Sequence, residues 1–169
     1  MSKQVYTKPG AIEMATPDNI EKLSSLINSF SFAMITTVDK ENNALHSRPM
    51  VLLKDKSTRS ALFPSNTLWF FTYRHCGKTD ELARDPSMSV TMQSNTIYLS
   101  LIRKGNTMDD KLKIRELWSE SCITWFPGGI DDPELCLLRF SIEAAEYWDM
   151  SGAATPLRVR IGGFLKSVF

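Results

Sequence analysis

Hydrophobic and polar residues change their spacing several times along this chain, and each change marks a predicted element. The first regular pattern is helical, with apolar side chains three or four positions apart at Ile20, Leu23, Ile27 and Phe30. This helix is predicted to begin at Thr16-Pro17-Asp18, because a threonine N-cap followed by proline at the first helical position is typical of a helix start. Residues 1–15 show no periodicity, so they are predicted to form an N-terminal arm ahead of one domain over 16–169.

After residue 31 the pattern changes to short runs of β-branched and aromatic residues that are separated by polar turns. Strands are predicted at 32–38, 44–54, 67–73, 88–93, 97–103, 138–144 and 157–161. The last two strands alternate between apolar and polar positions, which indicates one buried and one solvent-exposed face. Two more helices are predicted, at 79–85, which Pro86 closes, and at 109–121, followed by a turn-rich loop at 125–133.

The order of these elements decides between fold classes. A parallel, doubly wound sheet would need a helix between most strands, whereas most predicted connections here are hairpin turns. The chain is therefore predicted to be mainly β: a small β-barrel of six or seven antiparallel strands, with peripheral helices packed outside it.

Composition and charge exclude several classes of partner. The chain carries 20 basic and 19 acidic side chains, so no overall field favours nucleic acid or an anionic membrane. No apolar run is long enough to span a bilayer, and the first residues lack the apolar core of a signal peptide, so we expect a cytoplasmic protein. Cys76, Cys122 and Cys136 are widely spaced, which fits reduced, buried thiols better than disulfides or a zinc site.

Motifs for the common catalytic chemistries are missing from the sequence. His46 and His75 are the only two histidines, and neither Gly-x-Ser-x-Gly nor His-Glu-x-x-His occurs, so a hydrolase or a zinc enzyme has little support. The sequence also lacks Gly-x-Gly-x-x-Gly and the P-loop motif, which sets aside dinucleotide and nucleotide sites of those types. We identify no catalytic residue and predict no metal ligand.

The stretch 45–78 holds the residues best suited to a flat, anionic ligand. Lys78 follows a glycine at a predicted helix start, where a cation and unpaired backbone N–H groups together suit a phosphate. Arg48 precedes Pro49 within a predicted strand, which places the pair at an edge, a bulge or an opening of the sheet. Ordinary structural explanations also apply: a solvated lysine, a surface arginine paired with an acid, and core packing for the aromatic run 69–71.

Several segments resemble one known family in their order and spacing. They are Ser47-Arg48-Pro49-Met50, Leu68-Trp69-Phe70-Phe71-Thr72, Lys78 with Glu81-Leu82, Trp125-Phe126-Pro127-Gly128-Gly129, Asp131-Asp132-Pro133 and Ala145-Glu146-Tyr147-Trp148-Asp149. Together they resemble the general stress protein branch of the pyridoxamine 5'-phosphate oxidase-like flavin-binding split barrels, from residue 16 to the C-terminus. The resemblance implies a split barrel that forms a homodimer and binds FMN between its two chains.

The resemblance also implies a set of cofactor-binding residues. Carried over by position, they are Arg48, Pro49, Met50, Val51, Phe71, Thr72 and Lys78, with Trp125 and Trp148 near the ring or the dimer interface. The first four would line the isoalloxazine ring, the next two would lie along the ribityl chain and phosphate, and the lysine would pair with the phosphate. FAD, a deazaflavin and haem are alternative ligands, of which haem has the least support because histidines are so few.

The resemblance leaves the activity open. It implies either a low-specificity flavin-dependent oxidoreductase linked to stress response, or a flavin-binding or ligand-sensing stress protein without turnover. Residues that recognise pyridoxal phosphate in true pyridoxamine phosphate oxidases are not visible here, so that substrate is not predicted. Segment 101–107 departs from the family pattern, because Arg103 and Lys104 stand where a small Ser-Gly-x-Ala segment is common. These cations either compensate a weakened site or mark a different ligand.

Overall fold

A computed structural model describes residues 13–14, 16–56, 66–150 and 157–160. In chain order its strands are β1 (Glu13–Met14), β2 (Phe32–Asp39), β3 (Ala44–Val51), β4 (Thr67–Tyr73), β5 (Ser87–Gln93), β6 (Ile97–Met108), β7 (Leu135–Asp149) and β8 (Leu157–Arg160). Its helices are α1 (Pro17–Asn28), α2 (Gly77–Arg84) and α3 (Lys111–Leu117), with a 3-10 turn at Glu120–Thr124. The mainly β prediction is confirmed, because strands β2 to β7 pair antiparallel in a curled half-barrel that the helices flank.

The start of α1 follows from its first residues. Thr16 has extended backbone angles, and its hydroxyl accepts a hydrogen bond from the Asn19 backbone N–H at 3.2 Å. Pro17 takes the first helical position, where its missing N–H costs no hydrogen bond. The buried face of α1 consists of Leu23, Leu26 and Ile27, all members of the main core. The predicted N-cap and helix are therefore confirmed.

The sheet runs in the order β1-β8-β7-β6-β5-β2-β3, and β4 pairs with β7 beside that path. The long strand β7 pairs with β6 along one edge. Along its other edge, residues 135–141 of β7 pair with β4 and residues 144–147 of β7 pair with β8. Strand β3 ends the sheet, so Pro49 lies on an edge strand, which is one of the three positions that its missing N–H allows. Strands β3 and β4 do not pair in the sheet, but just past β3 the Leu53 backbone N–H donates to the Trp69 carbonyl oxygen of β4 at 3.1 Å.

Two hydrophobic clusters hold the sheet and its helices together. The main core, inside the half-barrel, includes Phe70 and Phe140, which are both fully buried. The second cluster includes Phe71 and Trp118, whose ring centroids are 5.6 Å apart. Neighbouring residues of β4 point alternately into the two clusters, which explains why this strand is hydrophobic on both faces.

Strand β7 is longer than the predicted strand at 138–144. Its first residues, Leu135 to Leu138, are all buried: Leu135 and Leu137 lie in the second cluster and Leu138 lies in the main core. A run that is buried on both faces has no apolar and polar alternation, so the pattern shows only the later part of the strand.

Strand β6 also continues beyond its predicted end at residue 103. It pairs with β7 as far as Met108, with a register shift between Ile102 and Arg103. A Cβ atom at Gly105 would lie 2.6 Å from the Sδ atom of Met88, so glycine allows β6 to pass close to its neighbour. The divergent segment 101–107 is therefore part of a strand, although its polar residues and glycine are typical of a loop.

Two other predicted elements are too long. Helix α3 ends at Leu117 rather than at 121, because Trp118 takes an extended conformation and packs its ring into the second cluster. Strand β3 ends at Val51 rather than at 54, since Leu52 and Leu53 leave the strand and are buried in different clusters.

The N-terminal segment is described only in part. Glu13–Met14, inside the predicted arm, pair in parallel with Val159 and Arg160 of β8. The described ranges leave out residues 1–12, residue 15, and residue 161 of the last predicted strand. The N-terminal arm and the domain boundary therefore stay predictions. Among the helices that are described, none has the length and apolar character needed to cross a membrane.

Candidate ligand-binding site

The Arg48 side chain takes part in a network that we call the arginine cluster, formed by Thr37, His46, Arg48 and Glu81. The guanidinium donates from Nη1 to Thr37 Oγ1 at 2.5 Å and from Nη2 to Glu81 Oε2 at 2.9 Å. The Thr37 hydroxyl donates to the same carboxylate oxygen, and His46 Nδ1 lies 2.6 Å from Oε1. Strands β2 and β3 and helix α2 thus converge on one carboxylate.

The Glu81 carboxylate is ionised in this setting. Its residue is only 9% exposed, and this burial raises the pKa. Hydrogen bonds from Thr37, His46 and Arg48 outweigh the burial and bring the pKa down to about 2. At neutral pH, Glu81 therefore carries a negative charge that offsets the positive charge of Arg48.

The start of α2 forms a second group, the thiol cluster, made of Thr72, Cys76, Lys78 and Thr79. Cys76 is the N-cap of α2, and its backbone N–H donates to Thr79 Oγ1 at 3.1 Å. Lys78 Nζ lies 3.2 Å from the sulfur of Cys76, and Thr72 Oγ1 lies 3.6 Å from it. A lysine, a threonine hydroxyl and a helix N-terminus thus meet at one point, which suits an anion.

The same hydrogen-bond donors shift the pKa of the Cys76 thiol. Partial burial raises the pKa of Cys76. Hydrogen bonds with Thr79, Thr72 and Lys78 lower this pKa by more than burial raises it, so the net pKa is about 7. Cys122 and Cys136 are buried, as the sequence predicts, whereas Cys76 is half-buried. The three thiols are free and form no disulfide, which agrees with the sequence-based expectation.

Alkylation of Cys76 by iodoacetamide is expected to accelerate through a pH midpoint of about 7, well below the value near 8.5 of a free thiol. The thiolate is the reactive form, and its fraction rises with pH through the pKa. Stopped alkylation followed by peptide mass spectrometry measures the rate at each cysteine. Cys76→Ser is expected to lose the rapid phase, and a midpoint near 8.5 in the wild type would contradict the assigned environment.

The remaining predicted site residues fall on two sides of the sheet. Met50 is partly buried against the main core, and Phe71 is fully inside the second cluster, so any ligand contact of Phe71 would come from its backbone. Pro49 and Val51 pair with Met34 and Phe32 of β2 on the outer face. On that face we define the outer patch as Phe32, Met34, Pro49, Val51 and Trp125.

Trp125 and Trp148 both lie toward the outer face of the sheet. Trp125 is 57% exposed, and its ring lies edge-on to Phe32 with centroids 6.3 Å apart. Trp148 is half-buried and pairs with Tyr98, an exposed aromatic residue on β6. Within one chain, neither tryptophan is in the hydrogen-bonded network of the arginine cluster or of the thiol cluster.

The structure thus places Lys78 and Thr72, which is only 1% exposed, against the same Cys76 sulfur, and α2 carries both Lys78 and Glu81, the partner of Arg48. Sequence reasoning did not find the roles of Thr37, His46 and Glu81, because a buried ion pair between distant segments leaves no local pattern. An acid partner for Arg48 was among the alternatives, and Glu81 provides it. Arg103 of the divergent segment lies near an acid as well, with Nε 3.5 Å from Glu143 Oε2.

A cleft of about 390 Å³ lies near the thiol cluster, since it is lined by Cys136, which pairs with Thr72 across β4 and β7. Its other lining residues are Arg74, His75, Thr107, Met108 and Asp109. A larger, shallow hollow of about 780 Å³ is lined only by residues of α1 and includes none of the predicted site residues. Within the described ranges, no group of three or more His, Cys, Asp or Glu side chains is placed to hold a metal ion.

Solved structures with the same fold come from several bacteria. One is a Clostridium acetobutylicum protein related to general stress protein 26 of B. subtilis, with a TM-score of 0.68, 19% identity, and coverage of 87% of this chain and 97% of that one. A second is a pyridoxamine 5'-phosphate oxidase-related, FMN-binding protein from Nostoc punctiforme, with a TM-score of 0.62, 16% identity, and coverage of 85% and 89%. At these identities the likeness establishes the fold.

Similarity at the level of sequence agrees with the fold. The chain is 27% identical over 145 residues to protein bli-3 of Neurospora crassa, a match that covers 80% of this chain and 66% of that relative. The model of the family described as pyridoxamine 5'-phosphate oxidase like matches residues 18–162, which is most of the domain. The chain therefore belongs to the pyridoxamine 5'-phosphate oxidase-like family.

Proposed function

We propose that the protein is a homodimeric FMN-binding oxidoreductase of low specificity. The observation that carries this proposal is the convergence of Lys78 and Thr72 on one point at the N-terminus of α2. A flavin-binding role also agrees with family membership and with the FMN-binding neighbour from Nostoc punctiforme.

The thiol cluster would hold the phosphate of FMN. Lys78 supplies a cation, Thr72 supplies a hydroxyl donor, and the first turn of α2 supplies backbone N–H groups with a favourable dipole. Each charge-assisted hydrogen bond of this kind contributes roughly 1.5–3 kcal/mol. The Cys76 sulfur now accepts a hydrogen bond from the same lysine, so a phosphate would share or replace that contact.

The ring would lie at the edge strand β3, near Arg48. The outer patch, which spans β2, β3 and Trp125, supports a second chain as part of the site, because an exposed group of apolar side chains favours association. Phe32 is 51% exposed and Met34 is 40% exposed, although both are large apolar side chains in a regular strand. A partner that covers this patch would bring Trp125 or Trp148 of one chain close to the ligand of the other.

A flavin, when bound, supplies hydride-transfer chemistry that the side chains of this protein do not. The residues described here would bind and orient it, and would shield it from water. A flavin-binding protein without turnover is the second candidate. It is favoured by one observation: His46 and Glu81, the two residues of the arginine cluster that could act as acid or base, contact each other at 2.6 Å.

Purified protein is expected to show the visible absorption bands of a flavin, or to acquire them with saturation when FMN is titrated. Lack of both would reject the proposed function. Anaerobic mixing of the FMN-loaded protein with NADH or NADPH then separates the two candidates. Reduction of the flavin within seconds supports an oxidoreductase, and no reduction on this time scale supports the protein without turnover.

Lys78→Ala is expected to weaken FMN binding by about 10- to 100-fold, the equivalent of one charge-assisted hydrogen bond to the phosphate. Fluorescence quenching of FMN on titration with protein measures the dissociation constant. Riboflavin, which has no phosphate, is expected to bind equally to the wild type and the variant. Lys40→Ala is the matched control, because Lys40 pairs with Asp85 just past the opposite end of α2 at 2.8 Å. Equal FMN affinity in Lys78→Ala and wild type would reject the phosphate assignment.

A further inference from the structure

Glu81 has more partners than a helix-surface glutamate needs. It is 9% exposed. Its Oε2 atom accepts hydrogen bonds from Thr37 and Arg48, and its Oε1 atom contacts His46 Nδ1. Removing a carboxylate from water is unfavourable unless partners replace the lost hydration. The three partners come from β2 and β3, so Glu81 joins α2 to the edge of the sheet.

Helix α2 carries residues of both clusters. Lys78 and Glu81 are three positions apart, a spacing that places two side chains next to each other on a helix surface. Lys78 turns to the sulfur of Cys76, whereas Glu81 turns to the guanidinium of Arg48. One short helix therefore fixes the distance between the cation proposed for the phosphate and the cation proposed for the ring.

The contacts of Arg48 leave its head group little freedom. Its Nη1 also lies 3.3 Å from the carbonyl oxygen of His46, in addition to the bonds with Thr37 and Glu81. A planar guanidinium that is held at three places keeps one orientation. Among the described residues that contact this head group, Glu81 alone can carry a negative charge.

We propose that Glu81 is a positioning residue for the flavin ring site, which holds the Arg48 guanidinium in place and offsets its charge beside the ring. This inference rests on the proposed function, since it assumes a flavin next to Arg48. Reduction adds electron density to a flavin ring, and charges near the ring shift its reduction potential. The positive charge of Arg48, if Glu81 did not offset it, would stabilise the reduced flavin and raise its reduction potential. Glu81 therefore keeps the reduction potential of the flavin lower than it would be beside Arg48 alone.

The test compares Glu81→Gln with Asp80→Asn in the full chain loaded with FMN. Each substitution removes one negative charge from the same helix, but Asp80 is exposed and makes no contact with the arginine cluster. The midpoint potential of the bound flavin is measured by equilibration with a reference dye. Glu81→Gln is expected to raise the potential by the equivalent of about a tenfold gain in affinity for reduced over oxidised FMN, or about 30 mV for two electrons. Asp80→Asn is expected to match wild type.

A second pair of variants keeps the test valid if Glu81→Gln does not fold. Arg48→Gln alone leaves the Glu81 charge without its partner, and Arg48→Gln with Glu81→Gln removes both charges together. The double variant is expected to show a higher potential than Arg48→Gln and one close to wild type. Equal potentials in Arg48→Gln and the double variant would overturn the inference.

The outcomes separate the two levels of the proposal. Failure of the wild type to bind FMN overturns the proposed function and this inference together. FMN binding with the same potential in wild type, Glu81→Gln and Asp80→Asn leaves the proposed function standing and overturns the role of Glu81. A purely structural role would lower the melting temperature of Glu81→Gln without moving the potential, and that result also counts against the inference.

Discussion

Met34→Glu is expected to convert the proposed homodimer to a monomer and to weaken FMN binding by at least about 100-fold in the same variant. Met34 lies in the outer patch, between Phe32 on its own strand and Pro49 across the β2 and β3 pair. If two chains associate through this patch, the symmetry of the dimer would bury the new glutamate of each chain without a partner. The free energy lost by burying two such charges is expected to exceed the free energy of association. Light scattering coupled to gel filtration measures the mass, and FMN titration measures the affinity.

Leu112→Glu is the control for that substitution. Leu112 is 82% exposed on α3 and is not part of the outer patch, so the same new charge is expected to leave both mass and FMN affinity unchanged. A Met34→Glu protein that remains dimeric would place the interface elsewhere. A monomer that binds FMN as tightly as wild type would show that the flavin site needs only one chain.

Phe70→Ala is expected to lower the free energy of unfolding by about 3–5 kcal/mol, which is a large part of the stability of a typical domain. Phe70 is fully buried on β4 and belongs to the main core. Alanine would leave a cavity that the packed strands around it cannot close. Urea denaturation followed by tryptophan fluorescence measures the change.

Leu112→Ala provides the comparison for Phe70→Ala. Because Leu112 is largely exposed, its truncation is expected to change the free energy of unfolding by less than about 0.5 kcal/mol. A loss of less than 1 kcal/mol in Phe70→Ala would mean that Phe70 is not in a closely packed core.

Local signals in the sequence were sufficient for much of the fold. Thr16 and Pro17 define the start of α1 by their own chemistry, and Pro49, which has no N–H to donate, indicates an edge, a bulge or an opening of the sheet, of which the structure has the edge. Each of these signals depends on one residue and its immediate neighbours, so no knowledge of the tertiary structure is required.

The misjudged boundaries have tertiary causes. Gly105 is typical of a loop by composition, yet it lies inside β6, where a Cβ atom would come within 2.6 Å of the Met88 sulfur. The start of β7 lacks alternation because it separates two clusters, and the number of clusters is a property of the whole fold. Patterns along the chain record burial on one face well, and they record close packing between distant segments poorly.

The candidate site divides in the same way. Lys78 was found because a lysine at a helix start has a local physical reason to bind an anion, and the structure places Thr72 close to the same point. The sequence indicates Glu81 only as part of a family motif and gives no sign of its partner, because the pairing with Arg48 joins residues 33 positions apart. Its role becomes visible once α2 is packed against the sheet edge.

The pairing of β4 with β7 also has a consequence for how the chain is made. During synthesis, β2, β3, β5 and β6 can pair with neighbours that are close in sequence, but β4 must wait until residues 135–141 have left the ribosome. Until then its run Leu68-Trp69-Phe70-Phe71 is an unpaired, uncharged hydrophobic strand, the kind of segment that is prone to intermolecular association. The period between the synthesis of β4 and that of β7 is therefore when the nascent chain most needs protection from aggregation.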